Sequence, residues 1–491
     1  MKLIYQMLPR LWGNGRFSGV DQNTLTYLKK TLGADCLWCT GVIRHATKSQ
    51  ENGCTPSHPQ IVKGSAGSPY AITDYYDVNP YLADNPELRM EEFRDLVKRV
   101  HQAGLKLLID FVPNHVSRDN VNLGKTDNKN VHWVPENDFF YYPGQALQLP
   151  EPCEGKPFEE YPAKASGNAF TPTPGKNDWY ETVKINYCDF HTSTWDKMLD
   201  IVRFWASQGV DGFRCDMVEL VPWQFMQWLI RSIKEEYPEI LFVGEVYEKE
   251  KYALYVEEVG FDLLYDKSGL YDTLRAVTCS NASAKGITWN WQFLGHLQPH
   301  MLNFLENHDE QRVASDFFCG SAEAGYAALA VSLLLNQAPF MLYFGQEIGE
   351  RGMDQEGFSG LDGRTSIFDW WTIKSIQRLC QGVKHLLPQE KAILSRYKEL
   401  LALSKTAPFL EGKTFDLCYC QDGAFNPDRQ FAWLRSDGQK TWLIVSNFAP
   451  QREEITVRIP IEALEYLGIK AVRTVYTLTV GGKDYQMTEV N

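Results

Sequence analysis

The sequence predicts an α/β protein: a (β/α)8 TIM barrel with a small inserted domain after its third strand and a C-terminal antiparallel β-sandwich domain. Three observations lead there. Short apolar runs alternate with amphipathic helical stretches until eight strands have been counted, the rhythm of a parallel sheet. That rhythm breaks after Asn114-His115 and resumes near residue 185, and a structureless loop of that length is improbable. From Phe409 onward, helical periodicity gives way to short alternating runs such as QFAWLRSD and TWLIVSNF, separated by Gly, Asp and Pro. Residues 1–115 and 185–400 are therefore assigned to the barrel, 116–184 to the insert and 405–491 to the C-terminal domain.

The strands follow in order. Ile4 to Leu8 is the first, and a helix from Gln22 to Leu32 stops at Gly33. CLWCTGV (36–42) is the second. Asp84-Asn85-Pro86 opens a helix with Phe93, Leu96, Val97 and Val100 on one face, and Gly104 closes it before KLLIDFV (106–112), the third strand. After the insert, a helix near Ser193 to Gln208 leads into GFRCDM, the fourth strand, and another helix runs from Gln224 to Tyr237. LFVGEVY (241–247), FDLLYD (261–266), MLNFLENH (301–308) and PFMLYFGQE (339–347) complete the eight. In the C-terminal region FDLCYCQ and EEITVRIP are also read as strands. An open doubly wound sheet is the alternative, but no GxGxxG turn follows the first strand.

Composition narrows the function. A chain 44% hydrophobic and 23% charged is an ordinary globular protein. Its net charge of −13 argues against nucleic acid, since phosphate binding wants clustered Lys and Arg. No stretch approaches the ~18 uninterrupted apolar residues of a membrane span, and MKLIYQMLPRLWGNG lacks the features of an export signal. The 11 cysteines, an odd number, are then expected as free thiols of a cytoplasmic protein. Cys36 and Cys39 face opposite sides of a strand, which suits neither zinc nor a disulfide. The aromatic content of 13% is compatible with stacking on sugar rings.

A (β/α) barrel works at the C-terminal ends of its strands. The polar residues there are Asp110, Asn114 and His115 on the third strand, Arg214 and Asp216 on the fourth, Glu245 on the fifth, and Asn307, His308 and Asp309 on the seventh. Arg214 and Asp216 are two apart and share a face. An arginine beside an aspartate favours the carboxylate, and a charged carboxylate aimed into a cavity is a nucleophile. Neighbouring strands lie ~4.8 Å apart, so Asp216 and Glu245 fall near the ~5–5.5 Å that retaining glycoside hydrolysis requires. Glu245 has apolar neighbours (Phe242, Val243, Val246) and no Arg two residues away, so its pKa is expected to be the higher, suiting a general acid.

DFVPNH, GFRCDMVEL, GEVY and ENHD resemble, in order, the four signature regions of the α-amylase family of glycoside hydrolases. SPYAITDYY and GFSGLDGRTSIFDW also resemble family features. The resemblance implies Asp216 as nucleophile, Glu245 as acid/base and Asp309 as a third acid gripping sugar hydroxyls. It implies His115 and His308 as hydrogen-bond donors to the sugar at the cleavage point, Tyr70 as its stacking partner, Arg214 as partner of the nucleophile and Asp110 as a supporting residue. The implied substrate is an α-glucan or maltooligosaccharide, cut mainly at α-1,4 bonds. The chemistry needs no cofactor, while Asn114 matches the position where the family often ligates a structural Ca2+.

Two positions depart from the pattern. Many members that cut long α-1,4-glucans carry Lys-His three and four residues after the nucleophile, where this chain has Glu219 and Leu220. Ala71 stands where many exo-acting oligosaccharide glucosidases carry Asp, while Arg312 matches an arginine of those glucosidases and is expected at the substrate. A transglycosylase or an α-glucosidase of short oligosaccharides is the alternative within this chemistry. A non-catalytic carbohydrate-binding relative would be expected to lose catalytic acids, and all three are present.

Overall fold

The computed structural model describes residues 1–50, 53–120, 133–187, 193–279, 282–469, 475–480 and 483–488. Parts of the predicted insert (121–132) and of the C-terminal domain (470–474, 481–482, 489–491) lie outside them.

Eight parallel strands close into one ring: Leu3–Met7 (β1), Cys36–Cys39 (β2), Lys106–Phe111 (β3), Gly212–Cys215 (β4), Leu241–Gly244 (β5), Leu263–Tyr265 (β6), Met301–Phe304 (β7) and Phe340–Tyr343 (β8). β1 pairs with both β2 and β8, which closes the barrel. The strands are apolar on both faces because one face fills the barrel and the other meets the helices. The helix Arg89–Gln102 buries the predicted stripe of Phe93, Leu96, Val97 and Val100. The predicted Gln22–Leu32 helix is α-helical only to Thr26; Tyr27–Leu32 widens into a π-type turn that ends at Gly33.

Between β3 and β4 the insert is built from short antiparallel pairs. His115–Ser117 pairs with Thr182–Lys184, and Tyr141–Tyr142 with Ala163–Lys164. The first pair is a ribbon that links the end of the third-strand loop to the end of the insert. A second ribbon, Ile43–His45 with Ile72–Val78, follows β2 and was not legible as strands in the sequence.

At the C-terminus, Lys413–Asp416, Gln430–Ser436 and Thr441–Asn447 form a three-stranded antiparallel sheet, and Val475–Val480 pairs with Lys483–Thr488. All of Gln430–Ser436 is buried because both faces are covered. Phe431 and Trp433 join the barrel's core, while Ala432 and Leu434 join a second cluster with Leu417, Phe425, Ala463 and Leu467. Two expected strands are corrected here. FDLCYCQ is extended only to Asp416 and then turns through Cys418–Cys420. EEITVRIP makes no strand and is largely exposed; the chain instead forms the helix Ile461–Leu467, which supplies Ala463 and Leu467 to the second cluster.

Among the described residues, no helix is long and apolar enough to cross a membrane. Ten cysteines among the described residues are free, Cys36 and Cys39 included.

Candidate active site

Strand register places the charged groups. β4 lies between β3 and β5, with Arg214 level with Asp110 on one side and Val243 on the other. The ladder continues past the strand ends: Asp216 N donates to Phe111 O at 2.9 Å and Glu245 N to Cys215 O at 3.2 Å. The two carboxylates therefore leave the sheet side by side at the C-terminal mouth. Gly244 is required just before Glu245, since a Cβ there would lie 2.9 Å from Leu264 and 3.0 Å from Phe261.

Arg214 is the hub. Its Nη1 donates to Asp216 Oδ1 at 2.6 Å, its Nε donates to the Tyr265 hydroxyl at 3.2 Å, and its Nη2 lies 2.8 Å from Glu245 Oε1. The last contact is an ion pair rather than an aligned hydrogen bond. Asp216 and Glu245 are nearly fully buried, and Glu245 takes two further donors. The Tyr247 hydroxyl donates to Oε1 at 2.8 Å and Met217 N–H to Oε2 at 2.9 Å. Met217 holds φ at 46°, the one non-glycine residue among those described with positive φ. Strain of this kind persists where surrounding contacts over-determine it, here beside the paired carboxylates.

This arrangement corrects one expectation. Arg214 serves both carboxylates, so Glu245 is not the member of the pair without an arginine. Burial pushes the Asp216 carboxyl up, with Glu245's charge adding to the rise and Arg214 opposing it.

The remaining predicted residues gather around this pair. Asp110 is buried, accepts from Gly41 N–H and the Tyr70 hydroxyl, both at 3.3 Å, and is pushed up to about 6 by burial with Arg214 opposing. Tyr70 stacks on His308 with ring centroids 5.3 Å apart, and its hydroxyl lies 2.5 Å from His308 Nε2. Asp309 sits across the mouth with its side chain 43% exposed and Oδ2 3.2 Å from His308 Nε2. Its carboxyl is raised by desolvation in the cleft, with Arg214, Arg364 and Lys267 opposing. His115 and His308 are both lowered to about 3, first by burial and then by nearby cations, so both rings are neutral.

Each of these histidines has a carboxamide at its Nδ1: Gln6 Nε2 lies 2.8 Å from that of His308, and Asn114 Nδ2 3.0 Å from that of His115. Gln6 was missed in the sequence. Its signal was a buried polar residue in the apolar strand LIYQM. Tyr247 was missed too, although it stands two residues after Glu245 and so on the same face.

Arg312 is corrected. It is 0% exposed; its Nη1 donates to Glu306 (2.9 Å) and Phe344 O (2.8 Å) and its Nε to Thr365 (3.0 Å), while the group lies over the Tyr343 ring. It clamps the loop after β7 to the end of β8 rather than meeting a substrate. Glu219 is also turned to structure, accepting from Tyr247 N–H at 2.7 Å and Glu248 N–H at 3.3 Å. Leu220 is 41% exposed and lines a cavity of about 340 Å³ with Phe140, Phe170, Tyr187 and Pro222.

The Ca2+ expectation at Asn114 meets a misfit. Asn114 Oδ1 accepts from the ammonium of Lys184, which also donates to Leu220 O at 2.7 Å. Calcium takes six to eight oxygens, and an ammonium bonded to the expected ligand oxygen competes for its place. Among the described residues, no group of three or more His, Cys, Asp or Glu side chains could hold a metal ion.

A closed parallel barrel whose C-terminal mouth gathers carboxylates from neighbouring strands around one buried arginine has the architecture of the (β/α)8-barrel glycoside hydrolases. The family model described as alpha amylase, catalytic domain, matches residues 11–375, and the chain belongs to the α-amylase family. Alpha-amylase 3 of Dictyoglomus thermophilum is 26% identical over 358 residues, 68% of this chain and 66% of that protein. A cyclomaltodextrinase of a Bacillus species is 22% identical over 463 residues, 91% of this chain and 72% of that protein. The match thus spans about two thirds of the first relative's length and somewhat more of the second's. In fold, the chain is similar to the crystal structure of a noncanonic maltogenic alpha-amylase from Thermotoga neapolitana. The TM-score is 0.64 at 22% identity, covering 91% of this chain and 86% of that one.

Proposed function

We propose that the protein is a retaining hydrolase of α-glucosidic bonds in maltooligosaccharides or starch-derived glucans. One observation carries the reading: Asp216 and Glu245, on neighbouring strands, contact two nitrogens of the same guanidinium. Paired carboxyls that close leave little room for the water an inverting enzyme places between them. Asp216 is the nucleophile: its aligned bond to Arg214 favours the charged carboxylate against the burial that raises it. Glu245 is the general acid and carries the proton to be transferred. Glu245 gives it to the departing glycosidic oxygen as Asp216 attacks the anomeric carbon, and afterwards takes a proton from the water that releases the sugar.

Asp309, on the opposite side of the mouth, grips sugar hydroxyls. Neutral His115 and His308 donate to the same sugar, Tyr70 packs on it, and Asp110 holds Tyr70. The names of the two relatives, an alpha-amylase and a cyclomaltodextrinase, support α-glucan substrates. The free thiols among the described residues fit a reducing cytoplasm. The test is the anomeric configuration of the first product from maltoheptaose, followed by NMR. Product of α configuration appearing first supports the reading, and β-configured product appearing first refutes it.

A further inference from the structure

We infer that Lys184 takes over the task for which Asn114 suggested a divalent cation. Its ammonium holds three segments together and fixes the tautomer of His115, making Lys184 a positioning residue of a metal-independent site. The link to sugar binding rests on the function proposed above; the link to the imidazole does not.

Donors and acceptors around the Lys184 ammonium fix one another in sequence. Lys184 ends the ribbon strand Thr182–Lys184, level with His115 on its partner strand. Its side chain is buried, and Nζ donates to Asn114 Oδ1 and, at 2.7 Å, to Leu220 O. An ammonium has three protons and no lone pair, so it can only donate. The Asn114 amide must therefore turn its oxygen toward Lys184 and its nitrogen away. That nitrogen has two protons and two acceptors in reach: Gly167 O at 2.9 Å and His115 Nδ1 at 3.0 Å. An amide N–H facing Nδ1 requires Nδ1 to be the bare, accepting nitrogen, which leaves the ring proton of neutral His115 on Nε2. A cation dictates the whole chain of hydrogen bonds, and here the cation is covalently part of the protein.

The same ammonium joins the loop after β3 (Asn114), the end of the insert (Lys184) and the turn after Asp216 (Leu220). It fixes the wall where this chain carries Glu219-Leu220.

Three measurements test this. The unfolding temperature of the full-length wild-type chain is recorded with EDTA and with millimolar CaCl2, and titration calorimetry with CaCl2 is run beside it. An unchanged temperature and no heat of binding are expected. A fall with EDTA that Ca2+ reverses would overturn the inference. Long-range 15N–1H spectra of 15N-histidine-labelled wild type should show His115 protonated on Nε2 alone, and protonation on Nδ1 would overturn it. In Lys184→Met the Asn114 amide is free to turn, so the His115 signals should move toward a tautomer mixture. KM for maltoheptaose should rise about tenfold, the loss of roughly one hydrogen bond, with kcat changing less. Unaltered His115 signals in a folded Lys184→Met would also overturn the inference. If maltoheptaose is not cleaved at all, the spectra and the calcium data still decide the role of Lys184, and only the proposed function fails.

Discussion

The Tyr247 hydroxyl donates to Glu245 Oε1 at 2.8 Å, and the backbone N–H of the same tyrosine donates to Glu219 at 2.7 Å. Glu219 thus reaches the proposed acid through one residue: it seats the Tyr247 main chain, and Tyr247 seats the carboxyl. Where the resemblance pointed to a lysine extended toward the leaving group, this chain has a carboxylate folded back under the β5 loop.

Tyr247→Phe removes one hydrogen bond to the carboxylate that Glu245 becomes as it gives up its proton, about 1.5–3 kcal/mol, and is expected to lower kcat about 10- to 100-fold while KM stays within a few-fold. Glu219→Gln, which keeps an acceptor for the Tyr247 N–H, should lose far less. Steady-state kinetics on maltoheptaose separate the two, and equal losses would contradict the relay.

Arg214→Ala leaves two buried carboxyls facing each other without their cation. Breaking a buried ion pair costs about 3–5 kcal/mol, so the variant should unfold at markedly lower denaturant and lose at least 100-fold in kcat/KM. Arg214→Lys offers one ammonium in place of a fork and should recover part of the stability but little of the activity. Urea unfolding and kinetics on both variants check this.

Buried neutral histidines should make the protein sensitive to acid. His45, bonded to Ala46 O at 2.9 Å and the Tyr81 hydroxyl at 2.8 Å, is lowered to about 3 by burial, as are His115 and His308. The unfolded chain binds their protons near pH 6.5 and the folded chain only near 3. The stability involved is present above about 6.5 and lost as pH falls toward 3. The raised carboxyls Asp110 and Glu306 act with the opposite sign, losing stability as pH rises toward about 6 and 7. A difference measurement isolates one group. Relative to wild type, His45→Gln should gain about 1.4 kcal/mol per pH unit as pH falls from 6 to 4, read from urea unfolding. A constant difference would contradict it.

Arg312→Met is expected to act on stability rather than specificity. It leaves Glu306 buried without its partner, costing about 3–5 kcal/mol, while the folded fraction should keep its KM for maltotriose and maltoheptaose. A selective loss on the shorter substrate would restore Arg312 to the substrate.

The barrel was legible because its signals are local. Eight apolar runs, the Phe93–Val100 stripe and the period-two placement of Arg214 and Asp216 all survive into the structure. What was not legible depends on contacts between distant segments. Arg214's second carboxylate lies on the next strand, so sequence spacing could not show that Glu245 shares it. Arg312 follows Asp309 by three residues, yet the loop turns it inward to Glu306, which only the folded path reveals. Lys184 lies 70 residues from Asn114 and in a stretch without helical period, so nothing local marked it. EEITVRIP has strand-like alternation, but its Ile455 and Val457 pack only partly buried against the second cluster, and the helix that follows supplies that cluster's buried Ala463 and Leu467.

The identity of the nucleophile is the centre of this account. Incubation with 5-fluoro-α-D-glucosyl fluoride, proteolysis and tandem mass spectrometry would read it directly. The account predicts a fluoroglucosyl ester on Asp216, in the peptide carrying GFRCDMVEL, that is lost in Asp216→Asn. An ester on Glu245 or Asp309 would contradict it.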